Sequence, residues 1–239
     1  FNDLSTPLAF LATRRSGKAR DMIAPGPDSA ELDRILAIAS RTPDHGKLFP
    51  WRFVVVAPDQ RAAFAALLRD AYLADKPDAG RIELDAVDQF AHQAPSLVVV
   101  LSAPDTASHI PAWEQELSAG AACMNLLAAA HASGFVGCWL TGWAAYSDRV
   151  RNAFGPPECR IAGFVFLGSA GKPLFVVGQK LPGLFVTQPG TFDVACDTWF
   201  AFVEPRRNRP PGKLGEGGSK EQKHHKGRDR LIETEFFDL

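Results

Sequence analysis

The sequence lacks several features that identify special classes of protein. Its 239 residues include only four cysteines, and no two of them form a Cys-x-x-Cys pair. A chain of this size does not need disulfides for stability, so we expect reduced, buried thiols in a cytoplasmic protein and no metal site. No apolar run approaches the ~18 residues that a membrane-spanning helix needs. Phe1-Asn2-Asp3-Leu4 resembles no signal peptide, so we expect no membrane association.

An excess of charge of one sign is also missing, because the formal net charge is −1 at pH 7. The basic residues are nevertheless concentrated, since residues 206–230 hold nine Lys and Arg against three acids. No aromatic residue interleaves with these charges as a base-stacking surface would require, so we interpret the segment as a solvated tail. Nucleic-acid binding through this tail is the alternative, and we expect no nucleic-acid partner.

Motifs of several enzyme classes are absent as well. The chain contains no Gly-x-x-x-x-Gly-Lys-Ser/Thr loop and no Gly-x-Gly-x-x-Gly after a strand pattern, which excludes the common nucleotide-binding loops. Neither Gly-x-Ser-x-Gly nor His-Glu-x-x-His occurs, so the usual hydrolase and zinc-protease interpretations lack support.

What the sequence does contain is an alternation of helical and strand patterns over residues 6–174, with 46% apolar residues. Thr6 and Pro7 can begin a helix, and Asp28 with Glu31 forms a capping box for another. Leu97–Leu101 is a continuous apolar run, typical of a strand covered on both faces. The mixture predicts an α+β or three-layer α/β/α domain.

A long helix is predicted over residues 111–133, before Gly134. Its periodicity predicts an inward face formed by Trp113, Leu117, Gly120, Ala121, Met124, Leu127 and Ala128. After residue 174 the periodicity stops. We therefore expect a domain over residues 1–174 and an irregular, partly disordered basic tail over residues 175–239.

Two segments concentrate residues that can carry chemistry. The first is Arg14-Arg15-Ser16-Gly17-Lys18, whose forked guanidinium donors and hydroxyl could bind a phosphate. The alternative is a basic helix end that complements the helix dipole. The second, Arg41 to Trp51, places His45 in a loop before a strand, where ligands are often bound, although His45 alone could be structural.

In their order along the chain, these segments resemble the nitroreductase family of FMN-dependent oxidoreductases, specifically its short YdjA-type branch. The motifs that carry the resemblance are Arg14-Arg15-Ser16, Arg41-x-Pro43-Asp44-His45-Gly46-Lys47, Trp113-Glu114-Gln115-Glu116-x-Ser118-Ala119-Gly120, Gly134-Phe135-x-Gly137-x-Trp139-x-Thr141-Gly142 and Gly163-Phe164-x-x-Leu167-Gly168. The resemblance implies a three-layer fold with a mainly antiparallel central sheet, and a homodimer with FMN at the interface.

The resemblance also implies roles for individual residues. Arg14, Arg15 and Ser16 would hold the FMN phosphate and ribityl chain, and Lys18 would lie near the N1/O2 edge of the flavin ring. Arg41 and His45 would reach the flavin from the second subunit. Trp139, Leu140 and Thr141 would line the flavin, although Leu140 departs from the arginine or lysine common there. The nicotinamide would contact the segment Ala129, Ala130, His131, Ala132, Ser133 and Gly134.

The implied reaction is ping-pong. NADH or NADPH would pass a hydride to flavin N5 and leave, and a nitroaromatic, quinone or similar electron-poor small molecule would then accept the electrons. No protein nucleophile is required, since the protein contributes binding, orientation and electrostatics. An alternative is a flavin-binding module with little turnover, used for storage, sensing or partner contact.

The carboxyl-terminal part departs from the family pattern. We expect either an altered reading frame or a genuine appended tail after residue 174, and either could weaken dimerisation and flavin binding. Because the chain begins with Phe1 rather than Met, we also expect a trimmed or incomplete sequence.

Overall fold

A computed structural model describes residues 2–171. Within that part of the chain, the helices are α1 (Pro7–Thr13), α2 (Ser29–Ala39), α3 (Arg61–Asp75), α4 (Arg81–His92), α5 (Ala112–Ala132), α6 (Trp143–Tyr146) and α7 (Asp148–Phe154). The strands are β1 (Met22–Ile23), β2 (Trp51–Val56), β3 (Ser96–Ser102), β4 (Val136–Leu140) and β5 (Arg160–Ala170). Short 3-10 turns occupy Ala19–Asp21, His45–Lys47 and Pro58–Gln60.

Local sequence signals explain where the first two helices begin. Thr6 caps α1 by accepting a hydrogen bond from the Ala9 N–H at 3.0 Å, and Pro7 occupies the first turn. Asp28 and Glu31 form the predicted capping box of α2, with N···O distances of 2.8 and 2.9 Å. Each cap satisfies an N–H group that a helix terminus leaves without a partner. The sequence prediction is confirmed at both positions.

All strand pairs in the described sheet are antiparallel, with β5 at its centre. β5 pairs with β3, which in turn pairs with β2, and β5 also pairs with β4 and, at its last residues, with β1. In the β4–β5 register, Val136 lies opposite Gly168 and Leu140 lies opposite Phe164. The prediction of a mainly antiparallel central sheet is confirmed.

Two hydrophobic cores lie on opposite faces of this sheet because successive side chains of a strand point to opposite sides. Leu97, Val99 and Leu101 of β3 contribute to one core, together with Phe64 and Leu68 of α3. Val98 and Val100 contribute to the other, with α2 and α5. Every residue from Leu97 to Leu101 is at most 1% exposed. The described domain is therefore a three-layer α/β/α structure, as predicted.

The predicted inward face of α5 is wrong in its first half. Trp113 and Leu117 are 62% and 60% exposed, whereas Ala119, Ala122 and Cys123 are fully buried. Because α5 carries small or apolar residues around most of its circumference, its hydrophobic period does not select one face. In this first half the small residues pack against the sheet and the larger side chains point outward, whereas Leu126 and Leu127 of the second half are fully buried.

Two short elements of the structure could not be predicted from the sequence. The two-residue strand β1 and the one-turn helix α6 carry too little periodicity to be predicted. Cys123, Cys138 and Cys159 are free and buried, as expected, and Cys196 lies outside the described residues. The boundary at residue 174 and the basic tail also lie outside them, so these remain predictions. None of the helices in the described part is long and apolar enough to span a membrane.

Candidate functional site

The segment Arg14 to Lys18 follows α1 and runs beside the first residues of β4. The Gly17 N–H donates to the Gly137 carbonyl oxygen at 3.1 Å. A Cβ at residue 17 would collide with Cγ1 of Val136, so only glycine allows the segment to approach the strand this closely. The Arg15 N–H donates to Asn2 Oδ1 at 2.9 Å, which also holds the segment in place.

Two side chains of this segment have buried polar atoms without a hydrogen-bond partner among residues 2–171. These atoms are Nη1 of Arg14 and Oγ of Ser16. Burial, and to a lesser extent the neighbouring charge of Arg15, lower the pKa of Arg14. Unsatisfied buried donors are uncommon in native structures and call for an explanation. A guanidinium N–H and a hydroxyl, two residues apart, fit an anion with several acceptor oxygens, such as a phosphate.

His131 is the third group near this segment with an unpartnered buried atom, its Nδ1. The charge of Arg14 contributes to the electrostatic environment of His131, so the two side chains lie within electrostatic range. The described residues contain two other such atoms, the hydroxyls of Ser102 in β3 and Ser147 before α7. Each of these is an isolated serine, whereas Arg14, Ser16 and His131 belong to one region.

The loop before β2 contacts α5 at positions away from the Arg14 segment. The Ser118 hydroxyl donates to the Pro43 carbonyl at 2.6 Å, and Asn125 Nδ2 donates to Thr42 Oγ1 at 2.8 Å. His45 Nδ1 lies 2.9 Å from Glu114 Oε2, and the His45 side chain is 67% exposed. Arg41 is also exposed. Both predicted residues are thus available to a molecule outside this chain.

The predicted flavin-lining residues lie at the end of β4. The indole N–H of Trp139 donates to the Ala162 carbonyl at 3.0 Å, so its polar atom already has a partner. Leu140 packs against the core that contains Phe64. Thr141 follows β4 and lines a cleft. Val136 and Thr141 are about 17 Å apart along an extended chain, which sets the spacing between Thr141 and the Arg14 segment.

The cleft at Thr141 has a volume of about 340 Å³ and was not predicted from the sequence. It lies among α3, α4 and α6, with Leu68, Val87, Phe90 and Trp143 among its lining residues. Tyr72 meets Trp143 edge-to-face at 4.8 Å between ring centroids, and Lys76 pairs with Glu83. The pairing of these charges leaves a mainly apolar cleft. Trp143 is the residue in the sequence that could have indicated this cleft. A single aromatic residue, however, does not distinguish a binding site from a hydrophobic core.

The predicted nicotinamide segment divides into two parts. Ala129, Ala130 and His131 are at most 3% exposed. Ala132, Ser133 and Gly134 are exposed at the end of α5. Only these last three residues are accessible to a nucleotide.

Within one chain, the structure does not bring all the predicted residues together. His45 contacts Glu114 near the beginning of α5, and Arg14 interacts with His131 near its end. The separation of 17 positions between Glu114 and His131 corresponds to about 25 Å of helix. Arg14 and Ser16 thus form one group of candidate residues, and Arg41 and His45 form another.

Comparison with known proteins identifies the family. A model of the nitroreductase family matches residues 11–169. The chain is 37% identical over 164 residues to a protein of Haemophilus influenzae named as a candidate NAD(P)H nitroreductase, covering 68% of this chain and 87% of that protein. It is also 37% identical over 163 residues to YdjA of Escherichia coli K12, which carries the same candidate name, with the same two coverages.

Solved structures share the fold. A nitroreductase-like family protein from Bacillus cereus has a TM-score of 0.58 and 21% identity, over 70% of this chain and 87% of that one. A nitroreductase from Bacteroides fragilis with bound FMN has a TM-score of 0.56 and 18% identity, over 76% and 97%. These likenesses confirm the fold, and the family model together with the two relatives confirms the predicted resemblance: the chain belongs to the nitroreductase family.

Proposed function

We propose that the protein is an FMN-dependent oxidoreductase that passes electrons from NADH or NADPH to an electron-poor small molecule. The observation that carries this proposal is the pair of buried, unpartnered donors, Arg14 Nη1 and Ser16 Oγ. Family membership and the names of the two relatives support the use of NAD(P)H. FMN in the Bacteroides fragilis structure supports the cofactor.

The Arg14 segment would hold the phosphate of the cofactor. Arg14 would donate through its guanidinium and Ser16 through its hydroxyl, so both buried atoms would gain acceptors on binding. Arg15 and exposed Lys18 would add positive charge beside the phosphate. When bound, FMN supplies the hydride chemistry for which the protein has no group of its own.

The ring of the cofactor would lie at the other end of β4, near Trp139 and Thr141. An extended ligand with an anionic end at Arg14 and an apolar end at Thr141 matches the spacing of about 17 Å along this strand. The adjoining cleft, with its paired charges and aromatic lining, would accept an uncharged, flat electron acceptor. Ala132, Ser133 and Gly134 would contribute the accessible part of a nicotinamide contact.

A homodimer would complete the site. His45 contacts Glu114 and Arg14 lies near His131, and these two positions are about 25 Å apart along α5. Arg41 and His45 of one subunit would therefore act on the flavin held by the other. Exposed apolar side chains support such an interface. They include Leu8 and Leu11 of α1, 78% and 66% exposed, and Trp113 and Leu117 of α5. Large exposed apolar residues of this kind favour protein contacts.

A flavin-binding module with little turnover is the second candidate, and Leu140 favours it. Its apolar side chain packs against the core, so residue 140 cannot supply the positive charge common there in the family. Weaker stabilisation of reduced flavin would slow reduction without abolishing binding.

Absorbance near 450 nm tests both candidates with the purified full chain and added FMN. Protein-bound flavin that bleaches on addition of NADPH or NADH, and regains its colour with a quinone, supports the oxidoreductase. Bound flavin that neither reductant bleaches supports the module. A protein that takes up no flavin contradicts both.

A further inference from the structure

His131 is a buried imidazole at the end of α5 whose two ring nitrogens differ in their contacts. Nε2 accepts a hydrogen bond from the Gly137 N–H at 2.8 Å. Nδ1 has no partner among residues 2–171, although His131 is only 1% exposed. One nitrogen is therefore fixed by the fold, and the other has an unused hydrogen bond in the interior.

The contact at Nε2 determines which nitrogen carries the proton. An N–H group can donate only to an unprotonated ring nitrogen, so Nε2 carries no hydrogen. A neutral imidazole then bears its proton on Nδ1. Burial and, secondarily, the nearby charge of Arg14 lower the pKa of His131 to about 4, so the ring is neutral near pH 7. Nδ1 is consequently an uncharged N–H donor without an acceptor.

Gly137 connects this donor to the candidate phosphate segment. Its N–H binds His131 and its carbonyl accepts from Gly17, so one residue of β4 fixes both. A Cβ at residue 137 would come within 2.6 Å of Leu127 Cδ2 and 3.2 Å of Leu167 Cδ2. The tight packing therefore holds the imidazole and the segment in a defined relation.

The unpartnered atoms of this region are all donors: a guanidinium N–H, a hydroxyl and an imidazole N–H. An unsatisfied buried donor costs about 1–3 kcal/mol. A ligand with several acceptor oxygens would satisfy all three, whereas a cation would satisfy none. The neutral ring also adds a donor beside Arg14 without adding another positive charge.

We propose that His131 is a binding residue for the cofactor phosphate, to which Nδ1–H donates together with Arg14 and Ser16. This inference rests on the proposed function, because it assigns a further residue to the same site. It also replaces the role that the sequence resemblance implies for His131. A ring that is 1% exposed cannot stack against a nicotinamide, whereas a hydrogen bond from Nδ1–H needs only one acceptor oxygen at this atom.

Two substitutions separate the functions of the two nitrogens. In His131→Gln, the amide oxygen can occupy the position of Nε2 and accept from Gly137, but no donor replaces Nδ1–H. In His131→Asn, the amide nitrogen can replace the Nδ1 donor, but the Gly137 N–H loses its acceptor. Urea unfolding of both variants measures their stability, and fluorescence titration of the full chain measures affinity for FMN and for riboflavin, which lacks the phosphate.

We expect His131→Gln to bind FMN about tenfold or more weakly, the usual effect of losing a hydrogen bond to a charged group, with unchanged affinity for riboflavin. We expect His131→Asn to lose stability but to keep FMN affinity within about threefold. Equal FMN affinity in His131→Gln and wild type would overturn the proposal. So would an equal loss of affinity for both flavins, or a loss confined to His131→Asn, which would assign His131 only a role through Gly137.

Wild-type protein provides a measurement that does not depend on the folding of variants. In 15N-histidine-labelled protein at pH 7, we expect His131 to carry its proton on Nδ1, and we expect this resonance to shift with FMN but not with riboflavin. A proton on Nε2, or an equal shift with both flavins, would refute the proposal. If wild-type protein binds no FMN, the proposed function itself fails; if it binds FMN without either His131 effect, only this inference fails.

Discussion

Two arginines in this domain are drawn into the interior, and their surroundings differ sharply. Arg61 at the beginning of α3 is 5% exposed and donates to backbone carbonyls of Val56, Ala91 and Gln93 at 2.8–3.2 Å, with longer contacts to Ala94 and Pro95. Arg14 leaves Nη1 buried without a partner among the described residues. Burial lowers the pKa of both side chains.

The difference separates a structural arginine from a candidate ligand-binding one. The donors of Arg61 are used by the fold, because they join the end of β2 to the end of α4 and the segment that follows it. Arg14 keeps binding capacity that the fold does not use. Burial alone therefore does not identify a binding site, whereas several buried donors without acceptors in one region indicate one.

The largest expected effect is the loss of stability when the structural arginine, Arg61, is replaced. Arg61→Met should lower the free energy of unfolding by about 4 kcal/mol, because several buried carbonyls lose their partner together. Urea unfolding measures this. Exposed Arg69 on the same helix is the matched control, and Arg69→Met should change stability by less than about 0.5 kcal/mol. Similar losses of stability in the two variants would show that the buried hydrogen bonds of Arg61 do not have the structural role assigned to them.

The neutrality of His131 predicts a pH dependence. Its pKa in the folded protein, about 4, lies below the value of 6.5 expected in the unfolded chain. The unfolded state therefore binds more protons between these values, and stability falls as pH drops from about 6.5 to 4. At full extent this amounts to about 3 kcal/mol.

Stability of wild type and His131→Gln between pH 7 and pH 4 tests this directly, since carboxylates common to both cancel in the difference. The stability of wild type relative to that of His131→Gln should decrease as pH falls. Parallel curves would show that His131 is not held neutral by the fold.

Arg14→Gln tests whether Arg14 is a ligand-binding arginine. We expect FMN affinity to fall by about 2 kcal/mol, roughly 30-fold, because a charged donor to phosphate is lost. Stability should change by less than about 1 kcal/mol, since Nη1 has no partner to lose. Exposed Arg20 provides the control Arg20→Gln, which should bind FMN like wild type. Equal losses of FMN affinity in Arg14→Gln and Arg20→Gln would mean that the total positive charge of the protein, and not a hydrogen bond from Arg14, determines FMN affinity.

The smallest expected effect concerns the exposed pair His45–Glu114. Solvent screens this contact of 2.9 Å, and the two side chains are 67% and 34% exposed. Glu114→Gln should therefore change the free energy of unfolding by less than about 0.5 kcal/mol. Thermal unfolding in low and high salt measures the change. A loss above about 1.5 kcal/mol would mean that this pair, like Arg61, is a structural element.

Much of the fold follows from local rules that a sequence expresses directly. The caps at Thr6 and Asp28 and the apolar run of β3 each depend on neighbouring residues, so they could be predicted. The packed face of α5 could not, because it depends on which side chains allow the helix to approach the sheet. Trp113 and Leu117 have the expected period but point outward.

The candidate site likewise has a part that the sequence predicts and a part that it does not. The basic segment from Arg14 to Lys18 is visible as a cluster of residue types. The roles of Arg61 and His131 depend on whether distant backbone groups satisfy their hydrogen bonds, which no local pattern records. The cleft at Thr141 also requires three helices to meet.

The central claim is that the unpartnered donors beside β4 form a phosphate site. Its most direct test is the ratio of dissociation constants of the wild-type full chain for riboflavin and FMN, measured by fluorescence titration under one set of conditions. We predict that FMN binds at least about 100-fold more tightly than riboflavin, as two or three charge-assisted hydrogen bonds would require. Equal affinity for the two flavins would contradict the claim.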